Sequence, residues 1–333
     1  MKALVLDGIN QPLQLKDVAD PVAGPGEAVV ELKAAALNHR DLWIQKGQYA
    51  GLKFPIILGS DGCGTVESCG AEEDWSWVGR EVIINPGLDW GARKEVQADA
   101  FRILGLPDDG TFAQKVKVPV SALAERPVHL DAAQAAALPL AGLTAYRALF
   151  SRAGLREGER VLITGVGGGA ALFALQFAVA AGATVFVTSG SDDKIKRAVE
   201  LGATGGVNYK ADKWADALKA QAGGGFDVTV DSAGGTGFSQ LIELAAPGGR
   251  IAFFGATAGD PPKFPMRRVF WKQLSILGTT MGSPEDFAEM TAFVSEKKIV
   301  PLASHAFPLA EGNDALAAME KADQFGKIVL TLV

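Results

Sequence analysis

The sequence predicts an α/β chain in which a doubly wound parallel sheet is inserted into a mostly antiparallel β domain. Three observations carry this. Residues 1 to about 120 alternate apolar and polar positions in short runs cut by Pro-Gly, Asp-Gly and Asn-Pro turns, as in "PVAGPGEAVVELKAAAL" and "GTFAQKVKVP". From about residue 125, apolar helical patterns alternate with short β-branched runs, the signature of βαβ crossovers. After residue 300 short strands return and end on "GKIVLTLV", a strand suited to completing the first domain. The expected division is 1–124, 125–280 and 281–333, the outer two segments forming one catalytic domain.

Taken in order, "MKALVLD" reads as a first strand; its apolar run is too short for a secretory leader. Residues 88–106, "LDWGARKEVQADAFRILGL", are more polar and read as an excursion loop. Strands are expected at 161–165, 184–188, 206–208, 226–231, 250–255 and 274–279. Helices are expected at 131–138, 168–181, 192–201, 212–222, 236–246 and 285–297. Gly182 and Gly202 each follow a helix and serve as left-handed caps. The apolar edge "LSILGTT" is costly to leave bare, so a homodimer formed through it is expected.

Composition excludes several classes. Hydrophobic residues are 48% and charged ones 21%, an ordinary globular balance. A net charge of −6 without basic runs argues against nucleic acid or an anionic membrane as partner. No apolar stretch is long enough for a membrane span, since the one near 170–183 is broken by Gln176. Cys63 and Cys69 are the only cysteines; without a nearby histidine they are poor metal ligands, and free thiols suit a reducing, cytoplasmic compartment. A small molecule is the expected partner.

"GVGGGA", Gly165 to Ala170, lies between the strand "RVLIT" and an apolar helix, with a second strand after Gly182. In that setting it is a dinucleotide-binding, Rossmann-type fingerprint. Gly165 permits the tight turn, Gly167 lets backbone approach a diphosphate, and Ala170 keeps the helix near the sheet. Gly168 and Gly169 lie at the helix start, where N–H groups and a partial positive charge favour an anion. The second strand ends "VTSGS" with no acid for ribose hydroxyls. Lys194, in the first turn of the next helix, is disfavoured there unless a 2′-phosphate compensates it. Ser189, Gly190, Lys194 and Tyr209 therefore form the expected phosphate pocket of NADP(H); the competing reading pairs Lys194 with Asp192 or solvent. Ser232 in "DSAGG" and Phe254 and Gly255 in "FFGATAG" put small or aromatic residues at the sheet's carboxyl edge, facing the nicotinamide or serving as plain turns.

Together with "ALNHRDLWIQKGQY", "ILGSDGCGTV", "AAALPLAGLTAYRAL", "GERVLITGVGGGAALFALQFA" and "GGRIAFFGATAG", this order resembles the medium-chain dehydrogenase/reductase superfamily over essentially the whole chain. "PLAGLTAYRAL" and "GVNY" are most similar to its zinc-independent, quinone oxidoreductase-like branch. The resemblance implies a Rossmann domain inserted into a GroES-like β-barrel domain, with the substrate in a cleft between them. The zinc alcohol dehydrogenases place zinc ligands at the positions of Asn38, Ser60 and about Leu140, and four structural-zinc cysteines in the lobe matched by 88–106. Amide, hydroxyl and alkyl groups do not replace thiolate and imidazole, so no metal is expected.

Within the resemblance, Asn38 matches an Asn that reaches the nicotinamide ribose or substrate, and Tyr49 a cleft Tyr able to donate a hydrogen bond or proton. Trp43 stands where that branch often has another Tyr, and Tyr49 and Trp43 read equally well as core or surface aromatics. His39 matches a basic residue on the coenzyme diphosphate, and Thr144 a nicotinamide-contacting Thr. His129 and His305 have no identifiable partners. The expectation is NADPH-dependent hydride transfer to a quinone or a carbonyl-conjugated alkene without catalytic zinc. The alternatives are a medium-chain alcohol dehydrogenase and a non-catalytic NADP(H)-binding redox sensor.

Overall fold

A computed structural model describes residues 1–332. The chain divides into two compact units: Met1–Leu143 with the segment from Gly282 onward, and Thr144–Met281. The first boundary falls at 143/144 rather than the expected 124/125. The helix Ala132–Ala137 packs on the strands Glu27–Ala36, Asp61–Cys69 and Lys327–Thr331, and Leu140 N–H donates to Asp61. Residues 125–143 therefore belong to the β unit.

In the first unit a seven-stranded sheet is centred on Glu27–Ala36, whose buried pattern interrupted at Glu31 and Lys33 matches its alternating text. Asp61–Cys69 pairs with it antiparallel on one side, Ala36 opposite Asp61. On the other side runs the returning strand Lys327–Thr331, with Val329 opposite Ala36. Three chain segments distant in sequence thus end side by side at Leu37–Asn38, Ser60–Asp61 and Lys327. That junction is where the site forms. A smaller sheet joins Gln14–Asp17, Lys2–Leu6 and Ile56–Ile57. Beneath it Leu4, Leu6, Ile44, Leu58 and Phe112 form a dry core. Each such side chain contributes about 1.5–3 kcal/mol by leaving water. The tail is not only strands: a helix, Gly312–Lys321, precedes the last one and buries Ala315, Leu316 and Met319.

The 88–106 segment is a lobe plugged by Trp90, which is buried, meets Phe101 edge to face at 5.2 Å and donates its indole N–H to Arg93 O at 3.0 Å. Arg102 pairs with Asp89 and Asp108 at its base.

The second unit holds six parallel strands in the order Gly205–Asn208, Thr184–Ser189, Arg160–Ile163, Phe226–Asp231, Ala245–Phe253, Ser275–Gly278. This is the doubly wound order, which reverses direction beside the strand that carries the glycine bend. The helix Gly169–Ala180 is apolar on nearly every face because it is buried. Gly182 and Gly202 take φ of 79° and 103°, as helix-ending glycines do. Among the described residues no helix is long and apolar enough to cross a membrane.

Candidate functional site

In the second unit the bend after Ile163 is built from backbone conformations that only glycine adopts freely: φ is 63° at Gly165 and 132° at Gly167. A Cβ at Gly165 or Gly168 would meet nothing within 4 Å, so the bend presents bare backbone to open space. Gly168 caps the helix, and Gly169 and Ala170 form its first turn. The bend is tied to the second strand by Val166 N–H on Thr188 O at 2.8 Å. This fits a diphosphate cradle.

At the end of the second strand, Ser189 is buried and its carbonyl accepts Tyr209 N–H at 3.1 Å, which brings the "NYK" turn alongside. A Cβ at Gly190 would meet Tyr209 Oη at 2.7 Å and Lys210 Cε at 2.9 Å. Gly190 is therefore roofed by a phenol and a second lysine. Lys210 was not anticipated, although it directly follows Tyr209. Lys194 sits in the first turn of Asp192–Glu200, its N–H on the Ser191 cap, and its alkyl chain lies against the bend: a Cβ at Gly167 would meet Lys194 Cδ at 2.8 Å and Nζ at 3.4 Å. Asp192 accepts from Asn208 Nδ2 at 3.0 Å. Ser189, Gly190 and Tyr209 thus come together with Lys210, while Lys194 bridges back toward the diphosphate cradle.

Farther along the same sheet edge, Phe254 N–H donates to Asp231 O at 3.1 Å, and a Cβ at Gly255 would meet Ser232 O at 2.8 Å. Ser232, Phe254 and Gly255 therefore share one edge. Thr144, buried on the helix Pro139–Tyr146, opens this unit.

In the first unit, Asn38 caps the helix His39–Gln45 directly after the central strand. Asp41, one turn on, accepts the N–H of Asn38 at 2.7 Å and of Gly59 at 3.3 Å, so it fixes both sides of the junction. Burial raises the Asp41 carboxyl to about 6, against the opposing pull of Arg40, the Asn38 N–H and Lys327. Asn38 Nδ2 donates to Asp61 Oδ2 at 2.9 Å. Lys327, buried, donates to Asn38 Oδ1 at 2.6 Å, Leu37 O at 2.7 Å and Asp61 Oδ2 at 3.1 Å.

Arg40 completes the cluster. Its guanidinium is buried, bonds Ser60 Oγ and Leu104 O at 2.8 Å each, and stacks 5.1 Å from the Tyr49 ring centroid. Tyr49 is half-buried, packed partly on the first core, with Oη 3.5 Å from Arg40 Nε; Trp43 packs on the same core. His39 keeps a solvent-exposed edge. Crowding by protein, and then the Lys327 charge, lower its pKa. His129 bonds Ile299 O at 3.0 Å, and His305 bonds Ser304, whose hydroxyl donates to Lys327 O.

Arg40, Asp61 and Lys327 are the residues that sequence reasoning missed. The one available signal was a lysine directly preceding an otherwise apolar terminal strand. The positions matched to zinc ligands carry an amide, a hydroxyl and an alkyl side chain, and their polar groups have partners within the protein. Asn38 Oδ1 already faces an ammonium, Ser60 Oγ a guanidinium, and Leu140 presents its N–H to Asp61 Oδ1 at 2.8 Å. A dication placed there would meet two resident cations, Lys327 and Arg40, beside an amide and a hydroxyl. Among the described residues no group of three or more His, Cys, Asp or Glu is placed to hold a metal.

Residues 24–128 match the family described as alcohol dehydrogenase GroES-like domain, and residues 165–296 the family described as zinc-binding dehydrogenase. A zinc-type alcohol dehydrogenase-like protein YogA of Leptosphaeria maculans is 36% identical, covering 97% of this chain and 96% of its own. An acryloyl-coenzyme A reductase of Sulfurisphaera tokodaii is 29% identical over 99% of both chains. A crystal structure of an NAD-dependent alcohol dehydrogenase superimposes with a TM-score of 0.92 at 38% identity, covering 99% of each chain. A parallel sheet with a glycine bend, a GroES-like unit and these matches lead to one conclusion: the chain is an oxidoreductase of the medium-chain dehydrogenase/reductase superfamily.

Proposed function

We propose that this protein is an NADPH-dependent reductase that delivers hydride to a carbonyl-conjugated alkene or a quinone without a catalytic metal. The observation that carries it is the pair of buried cations, Lys327 and Arg40, bonded to the side chains of Asn38 and Ser60 at positions where zinc relatives have metal ligands. The acryloyl-coenzyme A reductase among the relatives acts, by name, on an alkene conjugated to a thioester carbonyl, and supports this choice.

In the second unit, Gly165, Gly167, Gly168, Gly169 and Ala170 would hold the diphosphate. Ser189, Gly190, Tyr209, Lys194 and Lys210 would hold the 2′-phosphate, and Ser232, Phe254, Gly255 and Thr144 the nicotinamide end. Bound NADPH supplies the hydride. In the acceptor, hydride adds at the β-carbon, the C=C pair becomes the double bond between the α-carbon and the carbonyl carbon as the carbonyl π pair moves onto oxygen, and one proton at the α-carbon restores the saturated ketone or thioester. On the protein's side, Asn38 donates a hydrogen bond to that oxygen as its charge grows. Tyr49, with Arg40 against its ring, would give the proton. Most of the acceleration then comes from orientation of the two reactants.

The test is equilibrium binding by NADPH and NADH fluorescence, joined to oxidation of each coenzyme with a panel of quinones and enones and to metal analysis of protein purified without added zinc. Turnover by metal-free protein, with NADPH bound more tightly, is expected. Stoichiometric zinc with alcohol oxidation would favour the alcohol dehydrogenase reading that the 38%-identical structure represents. Binding without turnover would favour a redox sensor.

A further inference from the structure

The buried lysine of the terminal strand has no capacity left for a ligand. An ammonium carries three donors and no acceptor. Those of Lys327 are taken by Leu37 O, Asn38 Oδ1 and Asp61 Oδ2, and its side chain is 5% exposed. What it does settle is the orientation of its neighbour. Were the Asn38 amide turned over, its NH2 would face the ammonium and its oxygen would face the Asp61 carboxylate. Both contacts would become repulsive. The amide is therefore held with oxygen toward Lys327 and nitrogen toward Asp61. One Nδ2 hydrogen is spent on Asp61 Oδ2 at 2.9 Å, and the second has no protein acceptor among the described residues. A cation on the amide oxygen also draws electron density from nitrogen, which strengthens that remaining N–H as a donor.

We propose that Lys327 is a positioning residue that fixes Asn38 as a polarised hydrogen-bond donor, whose free Nδ2 hydrogen receives the carbonyl or quinone oxygen of the acceptor. Asp61 completes the device by holding the nitrogen side. The proposal rests on the reductase reading, and it assigns to a neutral amide backed by a buried charge the role of stabilising the developing oxyanion. Lys327 touches neither acceptor nor coenzyme.

The test uses the full chain. Lys327→Met leaves Asp61 buried without its cation and is expected to fold poorly, so the informative variant is Lys327→Met/Asp61→Asn, which removes both charges together. Asn38→Asp, which keeps shape but lacks the donor, is the companion. Three quantities are read: coenzyme Kd by fluorescence titration, the Kd of 2-cyclohexenone for NADP+-loaded protein (a pair that cannot react), and kcat and KM for 2-cyclohexenone with NADPH. Both variants should hold coenzyme Kd within about 3-fold while enone Kd weakens about 10-fold and kcat falls about 10–100-fold, the range for removing an orienting partner. An unchanged enone Kd in the double variant overturns the proposal, as does a large loss of coenzyme affinity with kcat intact, which would make Lys327 a coenzyme contact. If the wild type turns over no enone or quinone, the reductase reading fails, and the non-reacting binding measurement still decides whether Lys327 orients Asn38.

Discussion

Asp41 gives a prediction with a computable size and sign. It is fully buried, and burial raises its carboxyl from the ordinary 3.8 to about 6. The unfolded chain ionises this group more readily than the folded one, so at neutral pH its charge opposes folding. That opposition declines as pH falls through about 6 toward 3.8. The gap corresponds to about 3 kcal/mol at pH 7.5, of which about 2 kcal/mol is recovered by pH 4.5. Asp41→Asn removes the charge but leaves one of two N–H groups, Asn38 or Gly59, without an acceptor, a loss of about 1–3 kcal/mol that does not vary with pH. The variant should therefore nearly match the wild type at pH 7.5 and fall below it by about 2 kcal/mol more at pH 4.5. For a unit of about 200 residues this is a relative drop in Tm of about 5 °C. Surface acids such as Asp20 and Glu81, held at about 2 by their lysine and arginine partners, lose their stabilising contribution on acidification in both proteins and cancel in the difference. The assay is thermal and urea unfolding of both proteins at half-unit pH steps. Parallel wild-type and variant curves would show that Asp41 is not a strained buried acid.

Other perturbations separate the remaining features. Lys194→Ala and Lys210→Ala should each weaken NADPH binding about 10–100-fold and NADH binding less than about 3-fold, the scale of a charge-assisted phosphate contact; equal losses for both coenzymes would remove the 2′-phosphate assignment. Arg40→Met strips Ser60 Oγ of its donor and leaves Leu104 O with the Ser60 hydroxyl alone, and should destabilise the first unit by about 1–3 kcal/mol in urea unfolding, whereas a neutral result would mean that water replaces the guanidinium without cost. Trp90→Ala should open the 88–106 lobe to hydrogen exchange, and prolonged EDTA dialysis of the wild type should leave it protected; deprotection by EDTA would show that a metal holds the lobe. The edge strand Ser275–Gly278, with Phe270 and Trp271 exposed just before it, should give a dimer mass in light scattering, and a monomer would refute pairing through that edge.

What could be read in advance divides along a physical line. The glycine bend was legible because its requirement is local: positive φ at Gly165 and Gly167 is written into residue type, and the flanking strand and helix lie within a few residues. The inner strands Arg160–Ile163, Thr184–Ser189 and Phe226–Asp231 were legible for the same reason, each being a short run rich in β-branched residues. The polar junction was not. Lys327 meets Asn38 across 289 positions and Asp61 across 266, through a strand pairing that no periodicity in either segment specifies. Arg40 stands two residues from Asn38, yet its partners Ser60 and Leu104 come from separate loops. The domain boundary moved for a related reason: Asp61 captures the Leu140 N–H, and an alanine-rich helix that reads as generic apolar text is committed by that contact to the β unit.

The same junction bears on which acceptor the protein can reduce. Hydride added to an isolated carbonyl leaves a full charge on one oxygen, and zinc relatives meet it with a directly bound dication. Here the two buried cations are committed: Lys327 has three acceptors, and Arg40 is held by a hydroxyl and backbone carbonyls. On the proposed reading, the donors offered to a substrate are the second Nδ2 hydrogen of Asn38 and the phenol of Tyr49. A preorganised donor of this kind is worth about 2.7–4 kcal/mol at a developing oxyanion, so two reach about 5–8 kcal/mol. That suffices where conjugation already spreads the incoming charge, as in an enone, a thioester-conjugated alkene or a quinone. A simple ketone lacks that help. Rates across an acceptor series should accordingly rise with the acceptor's own ability to delocalise charge, and a simple ketone reduced as fast as its enone by metal-free protein would contradict the assignment of these two donors.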